Sequence, residues 1–148
     1  MVVRVQDAGF DLGAEMSRLI SGDTTIGAVV SFTGTVRDTG DLISMTLEHY
    51  PGMTEASLVA IETEAHQRWP LQASLIIHRY GRLVPGDNIV GVATASSHRQ
   101  AAFDAAAFLM DYLKTEAPFW KREETAEGAT WVDARETDSA ARDRWQQS

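Results

Sequence analysis

The two lysines of this chain, Lys114 and Lys121, lie seven residues apart in DYLKTEAPFWKREE, and the other eleven Lys or Arg positions are all arginine. A lysine amine loses its proton when it is buried or close to other cations, whereas an arginine guanidinium stays protonated. A lysine pair is therefore a candidate for nucleophilic attack or proton transfer. The alternative is that an arginine-rich chain carries two solvated lysines by chance, and the residue count alone favours that alternative.

The segment SSHR (96–99) stands at the beginning of the most strongly helical stretch. A helix N-terminus presents backbone N–H groups and a partial positive charge, to which His98 and Arg99 add two further donors. This arrangement predicts a phosphate site. The alternative is a plain serine cap at Ser96 or Ser97, with His98 and Arg99 as exposed first-turn residues. The segment itself supports the two interpretations equally.

A third candidate is FTGTVRD (32–38), in which an apolar stretch meets a loop at Arg37. Functional side chains are common where a strand gives way to a loop. The alternative is that Gly34 allows a bulge and Arg37 marks a solvated strand end. Taken alone, this segment favours the alternative.

The hydrophobic patterns predict the elements that must position these residues. Thr54 is expected to cap a helix through Trp69, the strands at 26–36 and 42–50 are expected to form a hairpin, and Pro118 is expected to end the helix that carries Lys114. The predicted strands are 2–6, 26–36, 42–50, 73–81, 88–96, 119–124 and 129–134, and the predicted helices follow Asp11 and Thr54 and cover 96–117 and 138–147.

This order, with strands paired to their neighbours, predicts a single α+β domain over residues 1–148 rather than a doubly wound parallel sheet. If 119–123 is extended, Phe119, Lys121 and Glu123 lie on one face and Trp120 and Arg122 on the other. Lys121 then faces back toward Lys114. The alternative for Lys114 is that it only complements the dipole of the helix C-terminus.

Composition narrows the class of protein. The net charge of −8 and the pI near 4.9 argue against a general nucleic-acid or anionic-membrane binder. The absence of cysteine excludes disulfides, thiolate metal sites and a cysteine nucleophile, and the four histidines show no close ligand spacing. We expect no metal or cofactor. MVVRVQDAGF does not have the pattern of a signal peptide, and no apolar run approaches the length of a membrane span, which predicts a soluble cytoplasmic protein.

Taken together, the motifs GAVVSFTGTVRD, LEHYPGMTEASL, IIHRYGRLVPGD, SSHR, MDYLKTEAPFWKREE and GATWVDARE closely resemble the large, catalytic subunit of molybdopterin synthase, the MoaE family. The resemblance covers about residues 26 to 145, with the motifs in matching order. It implies an α/β-hammerhead fold with an additional antiparallel β subdomain. The link DTGD after Arg37 is shorter than the loop that this family often has there.

The resemblance also implies an activity, partners and site residues. Enzymes of this family add two sulfur atoms to cyclic pyranopterin monophosphate, forming the dithiolene of molybdopterin. The sulfur comes from the C-terminal Gly-Gly thiocarboxylate of a small ubiquitin-like subunit, in a heterotetramer built on a central homodimer. The resemblance makes Lys114 and Lys121 the catalytic pair, and Arg135 is expected to reach the neighbouring subunit's pocket. The implied substrate-binding residues are Thr35, Val36, Arg37, His98, Arg99, Lys114, Lys121, Arg122, Glu123 and Arg135.

An alternative from another class of protein is a non-catalytic module that holds a phosphorylated ligand or an acidic tail. The chain lacks the common glycine-rich nucleotide-binding motifs, which weakens the usual forms of this alternative. A Lys→Arg change separates the two functions, because binding by charge alone would survive it and proton transfer would not.

Overall fold

The structure is a computed structural model that describes residues 1–132 and 136–147, with the side chains of 136–139 and 147 excepted. Its strands are β1 (Val2–Gln6), β2 (Ala28–Thr35), β3 (Leu42–His49), β4 (Leu71–Arg79), β5 (Gly81–Leu83), β6 (Asn88–Ser96), β7 (Phe119–Thr125) and β8 (Gly128–Val132). Its helices are α1 (Leu12–Ile20), α2 (Met53–Arg68), α3 (Arg99–Glu116) and α4 (Glu136–Asp143), and a 3₁₀ turn covers Arg144–Gln147.

The strands form two four-stranded sheets. The first has the order β1-β4-β6-β2, in which only the β1–β4 pair is parallel, and the second has the order β5-β3-β7-β8 and is antiparallel throughout. The α+β prediction is therefore confirmed, with the second sheet as the additional antiparallel unit. The short strand β5 was missed, because three residues are too few to show an alternating pattern.

The predicted hairpin of β2 and β3 is wrong. β2 pairs with β6, and β3 pairs with β5 and β7, so the chain passes from one sheet to the other between Thr35 and Leu42. The physical reason lies in Val36, which is 3% exposed and packs with Met45, Leu47 and Leu83. Burying these side chains together joins the two sheets at the point where a hairpin turn was expected.

The first sheet is covered on both faces. On one face α2 and α3 bury a cluster around Leu58, Ile76 and Phe108, and on the other α1 covers Leu75 and Ile77. Adjacent residues of β4 thus enter different cores, which explains why its central segment is apolar without interruption. Within the described part of the chain, none of the helices combines the length and apolar composition that a membrane span requires.

Two predicted helix starts are wrong. The N-cap of α2 is Gly52, which has a φ of +87°, and Thr54 lies inside the first turn with its hydroxyl bonded outside the helix. The predicted helix 96–117 begins only at Arg99, because Ser96 is still hydrogen-bonded in β6. Pro118 follows its end, as expected, because proline disfavours a helical conformation in the residue before it.

Candidate active site

Lys121 lies on the inner face of β7. Phe119, Lys121 and Glu123 are half-buried while Trp120 and Arg122 are exposed, which confirms the alternation expected of an extended segment. The Nζ of Lys121 is 3.8 Å from Oε1 of Glu123, two residues further along the same face. A carboxylate beside the amine keeps a proton acceptor and a counter-charge within reach of Lys121.

Lys114 occupies the last turn of α3 and is exposed. Its positive charge helps to lower the pKa of the buried His78 to about 4, after the larger effect of burial, so the two side chains are close enough to interact electrostatically. The His78 ring stacks on Phe119, with centroids 3.7 Å apart. Because Phe119 and Lys121 share one face of β7, Lys114 and Lys121 belong to the same neighbourhood.

The end of β2 belongs to that neighbourhood as well. Thr35 and Arg37 are exposed, whereas Val36 is buried, and the Val36 N–H and carbonyl bond to Asp87 O at 2.9 Å and Gly86 N at 2.8 Å. The Val36 side chain shares a cluster with Leu47, which pairs with Lys121 across β3 and β7. Val36 therefore anchors Thr35 and Arg37 at the lysine end of the molecule.

His98 and Arg99 lie at the opposite end of α3. His98 is the N-cap residue, makes no side-chain capping bond, and is exposed, as is Arg99. Lys114 comes fifteen positions after Arg99 in α3, which corresponds to about 22 Å along the helix at 1.5 Å per residue. Within one chain, His98 and Arg99 therefore do not lie next to Lys114 and Lys121.

Arg122 faces away from Lys121. It is on the exposed face of β7, with its guanidinium carbon 5.8 Å from the centre of the Trp131 ring, in a cation–π contact. Glu123, by contrast, shares the face of Lys121. Arg135 lies outside the described residues, so its predicted role stays a prediction.

Sequence reasoning missed two residues next to the lysines. The sequence placed His78 in a strand and among four histidines without close ligand spacing, and Thr54 at a helix cap, yet both contact the segment between Lys114 and Lys121. No periodic signal marks either residue, because each acts through a contact between elements distant in sequence. Among the described residues, no cluster of three or more His, Asp or Glu side chains is arranged to hold a metal ion.

One open cleft offers a poor alternative site. It has a volume of about 270 Å³, lies between α2 and α3, and is lined in part by Tyr112, Glu64 and Glu116. Carboxylates at this position disfavour an anionic ligand. The cationic groups at the two ends of α3 are therefore the better candidates for binding a phosphate.

Comparison with known proteins identifies the family. The family model described as MoaE protein matches residues 5–116. The chain is 60% identical to the molybdopterin synthase catalytic subunit of Ralstonia nicotianae, over 97% of this chain and 83% of that protein. It is 57% identical to the molybdopterin synthase catalytic subunit of Pseudomonas aeruginosa, over 99% and 100% of the two chains.

A solved structure agrees with these sequence relatives. The molybdopterin biosynthesis MoaE protein from Burkholderia ambifaria superposes with a TM-score of 0.86 at 54% identity, covering 98% of this chain and 97% of that one. The same fold is thus found at high sequence identity over almost the whole length. The chain belongs to the MoaE family, the catalytic subunits of molybdopterin synthase.

Proposed function

We propose that this chain catalyses the sulfur transfers that convert cyclic pyranopterin monophosphate to molybdopterin. The sulfur donor is the C-terminal thiocarboxylate of a small ubiquitin-like partner. The observation that carries the proposal is the grouping of both lysines with the Thr35–Arg37 strand end, in a chain that is 60% identical to a molybdopterin synthase catalytic subunit. The cytoplasmic location expected from the sequence stays a prediction.

The lysine pair supplies the chemistry that a chain without cysteine needs. Lys114 either attacks the acyl carbon of the thiocarboxylate, so that the C–S bond breaks, sulfide passes to the pyranopterin and water later cleaves the new amide, or it moves a proton there. Lys121 orients the tail or stabilises developing negative charge. Glu123, 3.8 Å from the Lys121 amine, is placed to hold that amine in position. Sulfur is delivered by the partner, so no thiol of this subunit takes part.

The length of α3 supports a homodimer. A phosphate held by His98 and Arg99 would lie about 22 Å along α3 from Lys114 of the same chain, too far for a small substrate to span. A second copy that places the start of its α3 near these lysines would complete the site. We propose that His98 and Arg99 hold the phosphate of the substrate that reacts at the neighbouring subunit's lysines. One small partner would bind to each subunit of the dimer.

Mixing two inactive variants tests the shared site. Lys114→Ala is expected to be inactive alone, and Arg99→Ala is expected to have little activity at pyranopterin concentrations well below its raised KM, because each damages both sites of its own homodimer. After subunit exchange, half of the dimers are mixed and each contains one intact site, so about a quarter of the wild-type activity should return. Assays use the thiocarboxylated partner and cyclic pyranopterin monophosphate, with dithiolene formation as the readout.

The controls for this experiment show whether each site is formed by one chain or by two. Mixing Lys114→Ala with Lys121→Ala should restore nothing, because both variants damage the same end of the chain. If Arg99→Ala plus Lys114→Ala also restores nothing while subunit exchange is verified by mass spectrometry, the shared site is wrong. A dithiolene yield of zero with the wild-type chain and active partner would contradict the proposed reaction itself.

The binding-module alternative has weaker support. The sequence relatives are catalytic subunits, and a lysine pair offers proton transfer as well as charge. If Lys114→Arg and Lys121→Arg both keep full turnover, charge alone suffices and the catalytic role of the lysines is wrong.

A further inference from the structure

The link Ala117–Phe119 joins the two elements that carry the lysines. Lys114 lies in the last turn of α3, which ends at Glu116, and Lys121 lies in β7, which begins at Phe119. Only Ala117 and Pro118 lie between the two elements, and Phe119 completes the link as the first residue of the strand. The link turns tightly, with the Phe119 N–H donating to the Ala117 carbonyl at 2.9 Å. Its conformation therefore sets how the two amines are disposed relative to each other.

Thr54 of α2 holds one side of this link. Its Oγ1 donates to the Pro118 carbonyl at 3.1 Å and accepts the Tyr50 N–H at 3.0 Å, and the residue is fully buried, with 0% exposure. Because a hydroxyl has one proton, the bond from Tyr50 leaves that proton for Pro118. The link is thereby tied to the beginning of α2, 64 residues away in the chain.

His78 of β4 holds the other side. Its ring stacks on Phe119 at 3.7 Å and 18°, and its Nδ1–H donates to the Arg79 carbonyl at 2.8 Å, which fixes the plane of the ring. Phe119 pairs across the strands with His49, whose ring packs on Tyr80 at 4.2 Å. Burial and the charges of Lys114 and His49 lower the pKa of His78 to about 4, so the ring is neutral at pH 7.

We propose that Thr54 and His78 are positioning residues that clamp the Ala117–Phe119 link and so set the geometry of Lys114 relative to Lys121. Neither residue needs to contact substrate for this role. A hydrogen bond from α2 and a ring stack from β4 restrain adjacent residues of the link, so α3 and β7 cannot shift independently. The catalytic part of this inference rests on the proposed function of the lysines; the structural part does not.

The first test compares Thr54→Val with Thr54→Ser. Valine keeps the volume of threonine but removes the hydroxyl, and serine keeps the hydroxyl. We expect Thr54→Val to lower kcat about tenfold or more, because small displacements of reacting groups have large effects on rate. KM for the pyranopterin should stay within about twofold, since Thr54 does not touch substrate. Thr54→Ser should recover most of the lost kcat.

A spectroscopic readout separates positioning from general damage. Reductive ¹³C-methylation labels both lysines, which are the only side-chain amines in the chain, so their NMR signals report directly on the two sites. Thr54→Val should shift the Lys114 and Lys121 signals, and Thr54→Ser should leave them near the wild-type positions. These shifts are observable whether or not the lysines are catalytic.

Thr94→Val is the matched control for the spectra. Thr94 is also 0% exposed, and its hydroxyl donates to the Ala102 carbonyl at 2.7 Å, near the opposite end of α3 from Lys114. Thr94→Val also removes a buried side-chain hydrogen bond between a strand and a helix, and should likewise destabilise the fold. The lysine signals of Thr94→Val should nevertheless remain unchanged.

His78 variants provide a second route if Thr54→Val fails to fold. His78→Ala removes the stacked ring and should lower kcat about tenfold and shift both lysine signals, whereas His78→Phe keeps a ring over Phe119 and should retain most of the activity. Unchanged lysine signals in both Thr54→Val and His78→Ala would overturn the clamp. Shifted signals with unchanged kcat would overturn its catalytic role. Normal turnover in Lys114→Arg and Lys121→Arg would instead overturn the catalytic role of the lysines, and a wild-type chain that forms no dithiolene would overturn the proposed function; both outcomes leave the structural part of the clamp standing.

Discussion

The backbone of Gly27 packs directly against the carbonyl oxygen of Ser97. A methyl group built on Gly27 would lie 2.2 Å from that oxygen, and the Gly27 N–H donates to the Ser96 carbonyl at 2.9 Å. Ser97 directly precedes His98 and Arg99. The close contact between Gly27 and Ser97 therefore helps to fix the position of the proposed phosphate-binding pair. Only glycine fits the contact without moving one of the two backbones.

Gly27→Ala is therefore expected to displace the SSHR turn. The added methyl group meets backbone rather than a flexible side chain, so we expect a loss of roughly 1–3 kcal/mol in the free energy of unfolding and a higher KM for cyclic pyranopterin monophosphate. Thermal unfolding and steady-state kinetics measure both effects. Gly9→Ala is the matched control, since nothing lies within 4 Å of a methyl group there. Equal KM values for the two variants would argue against a role of this turn in substrate binding.

Arg99→Ala should weaken substrate binding without destabilising the fold. Arg99 is exposed, so its truncation should change the free energy of unfolding by no more than about 0.5 kcal/mol. Loss of a charge-assisted bond to phosphate should raise the dissociation constant for the pyranopterin by about tenfold or more. Calorimetric titration with substrate measures this. Arg18→Ala, on α1, removes another exposed arginine, together with its ion pair to Glu15, as a control for binding, and equal binding by both variants would contradict the phosphate site.

The stability of the fold should depend on pH through His78. Its pKa is about 4 in the folded chain, below the usual 6.5, so between these values the unfolded chain binds more protons and the free energy of unfolding decreases as pH falls. The difference between the two pKa values corresponds to roughly 3 kcal/mol in the free energy of unfolding. Urea unfolding at several pH values between 4 and 7 measures the slope.

His78→Phe isolates this contribution. Glu62 acts in the opposite direction, because burial raises the pKa of its carboxyl, but it is present in both proteins and cancels in the comparison. The wild-type chain should therefore lose more stability than His78→Phe when the pH is lowered from 7 to 4. Parallel slopes for the two proteins would mean that His78 is not held neutral by the fold.

The sequence was a good guide to local structure and a poor one to contacts between elements. The alternation that places Phe119, Lys121 and Glu123 on one face follows from the strand period alone, and Pro118 marks the end of α3 by its own chemistry. By contrast, the crossing of the chain between sheets depends on where Val36 is buried. No local pattern contains that information.

In the candidate site, too, the sequence predicted the residues and their elements but not the contacts between elements. Residue types and family motifs indicated Lys114, Lys121, His98 and Arg99, and the predicted helix 96–117 already placed His98 and Arg99 at its beginning and Lys114 near its end. Once the limits of the helix are known, the separation follows from its rise per residue. The contact of Thr54 with the lysine segment was missed because its hydroxyl bonds to the carbonyl of Pro118, which is distant in sequence.

Amine acylation offers a direct test of where the reactivity of this subunit lies. With no cysteine present, alkylation by a thiol reagent should leave synthase activity intact, because there is no thiolate to lose. Mild acylation should instead inactivate the enzyme in step with modification of Lys114, Lys121 or both, since the unprotonated amine is the reacting form. Bound pyranopterin should protect the lysines that it covers.

Arginine variants complete the test of the lysine pair. Lys114→Arg and Lys121→Arg keep the positive charge but remove an amine that can lose its proton, so each should lose most of its turnover if that lysine attacks or transfers a proton. Binding of the partner's tail, which needs only charge, should persist in both variants. Peptide mass mapping after partial acylation of the wild-type chain, compared with residual activity at each time point, assigns the effect to one lysine or to both. Full activity with both lysines acylated would show that their placement in DYLKTEAPFWKREE reflects composition and not chemistry.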